Sequence, residues 1–148
     1  MLMLCVPQNA LSTLDRTSLL NDAFSLADGG RLNYTTALDL TKYLGAERSH
    51  VAWSVMGSRL AYFHYVFYYT PVFESLIAYE QGLVGDLQAE LGWSDEGSFG
   101  DKSLRVIILD LACAARFEDC LTTAEDKFTR WMDDGEFIAP NLREIVYK

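Results

Sequence analysis

Two histidines, His50 and His64, and three cysteines, Cys5, Cys113 and Cys120, are the side chains of this 148-residue sequence with the most obvious reactive chemistry. A zinc peptidase helix needs the HExxH pattern, which puts two imidazoles on one face around the metal and a glutamate beside it as base. Neither histidine stands in that pattern, and no zinc site assembles from the pair. His64 lies inside the aromatic run "LAYFHYVFYYTPVF" and reads as a core or boundary residue, as does His50 near a helix start. "ADGGRL" carries two glycines but no preceding strand and no GK[ST], so it is a helix cap rather than a phosphate cradle. No serine has a GxSxG context. Asp22 and Asp28 are six residues apart, off a common helix face, and general acid–base work would need a paired carboxylate within reach. They read as scaffold. Asp28 falls at a helix C-terminus, where the macrodipole disfavours an acid, and Arg31 is the expected partner that offsets it.

Cys113 and Cys120 flank "CAARFEDC", the predicted junction of two helices, where the chain turns back and the sulfurs can meet. Closing so short a loop would stabilise the hairpin by roughly 2 to 3 kcal/mol. Two buried, reduced thiols fit the spacing as well. Cys5 is left over in either case. Asn33 opens "NYT", a glycosylation sequon, and can instead cap a helix. Disulfide and sequon together lean toward an oxidising, secretory compartment.

The elements that position these residues are helical throughout. Half of the residues are hydrophobic and 22% are charged, enough apolar surface for one folded domain. The net charge of −9 leaves few Lys and Arg for a nucleic-acid backbone, so no nucleic-acid partner is expected. "MLMLCVPQNA" is too short an apolar start for a signal peptide or a membrane span.

Ser12 and Asp15 form a capping-box pattern, after which Leu19, Leu20, Ala23, Phe24 and Ala27 recur on one face up to Gly29-Gly30. Further helices are expected over Tyr34–Leu44, closed by Gly45; over His50–Tyr68; and from Pro71 to Gly92. Gly92–Asp101 is a loop. Leu104, Ile107, Ile108, Leu111 and Ala115 line a fifth helix; Leu121, Ala124, Phe128 and Trp131 line a sixth that stops at Gly135. "NLREIVYK" opens one more. The expectation is an all-α chain of six to seven helices in three stacked hairpins, each needing its neighbour to bury its face.

The strings "LSTLDRTSLLNDAFSLADGGRLNYTTALDLTKYL", "AW" at Ala52-Trp53, "ELGWSDEGS", "LACAARFEDCLTTAEDKFTRWM" and "IAPNLREIVY", in this order, resemble the C-terminal helical domain of the M1 zinc aminopeptidases. That group includes aminopeptidase N and the endoplasmic-reticulum aminopeptidases. The resemblance spans about residues 11–147 and sets residues 1–10 apart as an atypical lead-in. It implies antiparallel helix pairs stacked as a HEAT- or armadillo-like right-handed superhelix that closes over a catalytic domain and walls in the peptide cavity. It also implies that zinc, with the HExxH and GxMEN motifs that this sequence lacks, belongs to preceding domains, so this part has no catalytic or metal-binding residue and no cofactor of its own. The matched cysteines imply a Cys113–Cys120 bridge. Peptides are the implied partners besides the catalytic domain, with His64 and Tyr65 as candidate contacts. The chain stops where further helix pairs are expected, and an uncovered last pair invites self-association. The rival reading is a free-standing helical-repeat module that holds a peptide or protein.

Overall fold

Seven α-helices and no strand make up the described residues, 11–148, of the computed structural model. The lead-in, with Cys5, lies outside them.

Helix α1, Thr13–Asp28, begins where Ser12 Oγ accepts the Asp15 amide and the Asp15 carboxylate accepts the Ser12 amide, two otherwise orphaned donors satisfied at once. Gly30, at φ 67°, turns the chain out of it. Helix α2, Tyr34–Leu40, does not run on to Leu44 but tightens into a 3-10 turn, Thr41–Ala46. The Thr41 hydroxyl donates to Leu38 O at 2.7 Å at the join, a side-chain bond that competes with the regular ladder. Helix α3, His50–Phe67, starts from Ser49, and α4, Phe73–Leu91, starts two residues after Pro71, which sits in the preceding turn. Helix α5, Phe99–Ala114, opens on a second capping box, Ser98 with Asp101, within the stretch expected to be loop. Helix α6, Glu118–Asp134, ends at Gly135 with φ 68°; a 3-10 turn, Pro140–Leu142, leads into the short α7, Arg143–Tyr147.

The odd-numbered helices pack in succession, α1 on α3, α3 on α5 and α5 on α7, while α4 packs on α5 and on the turn after α2. Trp53, Met56 and Leu60 of α3 and Ile108 and Leu109 of α5 are fully buried at the centre. Gly85 of α4 leaves room for Phe117, whose ring would stand 3.3 Å from a Cβ placed there. Leu19, expected on the buried face of α1, is exposed, one helical step off the stripe Leu20, Ala23, Phe24 and Ala27. Leu121, Phe128 and Trp131 of α6 are also partly exposed, and Cys120 is the residue that α6 buries fully.

One buried acid joins three segments. The Glu47 carboxylate accepts Arg16 Nε at 2.7 Å and the amides of Arg48 and Ser49 at 2.9 and 3.0 Å. The Glu47 carbonyl accepts the indole N–H of Trp53 at 3.1 Å. Burial pushes the Glu47 carboxyl up, but the Arg16 guanidinium and the two amides outweigh it and hold the group below the ordinary glutamate range. The stabilisation is therefore complete above the unfolded glutamate pKa and is lost as pH falls through the lower folded value. Glu47→Gln should lower the unfolding free energy by about 2 kcal/mol at neutral pH. Urea titrations of both proteins should show the gap closing in acid; a gap constant with pH would contradict this account.

Candidate functional site

Helix α4 turns Phe73, Leu76, Ile77, Glu80, Val84 and Leu87 inward, so an acid sits in the middle of an apolar stripe. Glu80 is 0% exposed, and its two carboxylate oxygens lie 2.9 and 2.8 Å from His64 Nε2 on α3. Facing a carboxylate, that nitrogen carries the proton. The imidazole also meets the edge of Phe73, with ring centres 5.2 Å apart. Burial pushes the Glu80 carboxyl above the ordinary glutamate range, while the His64 hydrogen bond pulls the other way. The remaining face of His64 borders an open cavity of about 440 Å³ between α3, α5 and α7, where Leu60, Ile107 and Leu111 are apolar and Asp110 and Glu144 are acidic. Tyr65 is 87% exposed and does not line it.

The remaining candidates are not brought together. Asp22 is exposed. Asp28 accepts the Tyr34 hydroxyl and the Arg59 guanidinium, and those two bonds, the tyrosine's first, hold it below the ordinary range. Arg31 is therefore not its partner: the Arg31 amide closes α1 on Leu26 O at 2.8 Å, whereas Arg59 projects from the neighbouring α3 and stacks on Phe24. His50 packs edge-on against Phe99 at the start of α3. With both histidines on one helix, 14 residues of rise set them about 21 Å apart. No group of three His, Cys, Asp or Glu among the described residues can hold a metal ion, so these residues do not fit a zinc site.

Cys113 and Cys120 are bonded, with Cα atoms 5.2 Å apart and Arg116 in the left-handed region at φ 60° inside the ring. Asn33 is exposed and caps α2, its side-chain oxygen accepting the Thr35 amide and hydroxyl, both at 2.9 Å. Sequence reading missed Glu80, although a charged residue three residues after Ile77 and four before Val84 interrupts the apolar stripe.

Two stability measurements follow from this geometry. His64→Ala strands the Glu80 carboxylate in a dry site and should cost about 3 kcal/mol near pH 7.5. Because the folded pKa of Glu80 is raised, and is raised further without His64, that cost should shrink as pH falls toward the unfolded glutamate value; a cost independent of pH would remove the buried charge from the explanation. Replacing both Cys113 and Cys120 by serine should lower the unfolding free energy by about 2.5 kcal/mol, measured by denaturant titration without reductant.

Comparison with known proteins places this arrangement. A model of the ERAP1-like C-terminal domain matches residues 2–148. The chain is 34% identical to glutamyl aminopeptidase of Homo sapiens over 146 residues, which are 98% of this chain and 15% of that protein. It is 33% identical to endoplasmic reticulum aminopeptidase 2 of Homo sapiens over 138 residues, covering 90% of this chain and 14% of that protein. It is 30% identical to aminopeptidase N of Plutella xylostella over 139 residues, again 90% of this chain and 14% of the relative. The chain thus spans about 15% of the length of the curated relatives it matches, and over nearly all of its own length it belongs to the ERAP1-like C-terminal domain family.

Proposed function

We propose that this domain is a non-catalytic part of an M1-type zinc aminopeptidase, shaping and capping the cavity in which another domain removes the N-terminal residue of a peptide. The observation that carries the reading is the family match over residues 2–148, combined with relatives that are aminopeptidases about seven times longer. Zinc and the hydrolytic groups belong to the catalytic domain, which is the first partner of this one. The succession of α1, α3, α5 and α7 supports a HEAT- or armadillo-like right-handed superhelix, in which each pair covers the apolar face of the one before. Peptides are the second partner, with His64 and Tyr65 as contact residues. The Cys113–Cys120 bond and the exposed sequon at Asn33 support a lumenal or extracellular location. No helix among the described residues is long and apolar enough to cross a membrane.

The chain alone, assayed on aminoacyl-arylamide substrates with added zinc, should show no turnover; chelator-sensitive hydrolysis would overturn the non-catalytic assignment. Grafted in place of the matched segment of human glutamyl aminopeptidase, the chain should retain hydrolysis that deletion of that segment abolishes. Equal activity of graft and deletion would refute the capping role.

A further inference from the structure

Helix α5 ends with the Phe117 amide on Ala112 O at 3.1 Å and the Arg116 amide on Cys113 O at 3.0 Å, the pair of bonds that closes a helix through one left-handed residue. Glycine is the ordinary occupant of that position, because a β-carbon there crowds the backbone. Here it is Arg116, at φ 60°, the single non-glycine residue with positive φ among the described residues. The Cys113–Cys120 bond closes a ring around it. Strain of this kind persists where the surrounding structure makes use of the residue.

The Arg116 side chain reaches back to the start of α4. Its guanidinium lies over the Phe73 ring, 5.4 Å from the centre, and Nη1 donates to Glu74 Oε1 at 3.1 Å. The Glu74 pair is open to water, with side chains 51% and 74% exposed, so it contributes little to stability. The stack reaches further into the molecule. Phe73 is buried, and its ring stands 5.2 Å from the His64 imidazole and 5.1 Å from the Tyr68 ring. Two neighbours of Arg116 dock on α4 as well: Gln81 Nε2 donates to Ala115 O at 2.9 Å, and Phe117 packs over Gly85. The α5–α6 corner therefore lies along α4, with Arg116 at the end that meets His64.

Glu80 holds His64 by a single atom, Nε2, to which both of its oxygens are directed. A ring held at one atom can still swing about it. The edge-on contact with Phe73 removes that freedom, and a planar guanidinium both stacks on the phenyl ring and donates to the neighbouring carboxylate. We propose that Arg116 is a positioning residue for His64: it seats the Phe73 ring, which with Glu80 sets the plane of the imidazole presented to peptide. The functional half of this inference rests on His64 as a peptide contact, as proposed above.

The full chain has two histidines, so proton NMR of the imidazole C–H groups carries one reporter, His64, and one control, His50, assigned with His50→Gln. Arg116→Gly suits the left-handed backbone and removes the guanidinium; its urea midpoint should match that of the parent, while the His64 signals shift and those of His50 stay. Arg116→Gln, which keeps the β-carbon and loses the charge, should shift them the same way, and Arg116→Lys, which keeps a cation over the ring, should restore most of the parent position. In the graft into human glutamyl aminopeptidase, Arg116→Gly should raise KM for peptides several-fold at nearly constant kcat. His64 signals that stay in place in both Arg116→Gly and Arg116→Gln, or that move together with those of His50, would overturn the inference. A His64 shift with unchanged KM would instead overturn the peptide contact on which it rests.

Discussion

The arrangement depends on a carboxylate that has been taken out of water and kept charged. Glu47 sits at the bend between the 3-10 turn and α3, where its oxygens answer Arg16 from α1 and the first amides before α3. Its carbonyl fixes the indole of Trp53, the largest of the fully buried side chains. A buried charge with this many directional partners tolerates little displacement, so α1 and α3 are held in one relation. Since α3 carries α5, and α5 carries α4 and α7, the packing order of the chain descends from that contact.

His64 and Glu80 are the counterpart on the other side of α3. Here the acid has one side-chain partner rather than three groups, and burial wins over the hydrogen bond, leaving the carboxyl above its ordinary range where Glu47 lies below. Glu80 has fewer donors aimed at it than Glu47 and is also the more deeply buried of the two. His64, one of the two peptide-contact residues proposed above, borders the α3–α5–α7 cavity.

What the sequence made legible was local. The Ser12–Asp15 box, the Gly30 and Gly135 exits and the apolar stripe of α5 all depend on neighbours within a turn or two. The Ser98–Asp101 box carried the same signal as the first but stood in a stretch rich in Gly and Ser, so composition masked it. Contacts between distant residues were not legible. Arg59 displaced Arg31 at Asp28 because it lies 31 residues on, brought near only when α3 packs on α1. Glu80 found His64 16 residues away by the same route. Chain order also did not reveal that α1–α3, α3–α5 and α4–α5 packing would be more extensive than α3–α4. The family strings carried identity further than any periodicity could.

Helix α6 is attached unlike the others. It buries Cys120 alone, its ion pairs join Arg130 to Asp126 and Glu136 on its own strand of sequence, and Lys127 reaches the Trp93 ring. Phe128 and Trp131 meet the Tyr147 ring of α7, and the covalent bond to Cys113 adds a tie to α5 where α6 buries little else. In a glutathione-rich compartment the amides of this helix would exchange with solvent well ahead of those of α3, and its flank would become the first point at which a protease nicks the chain.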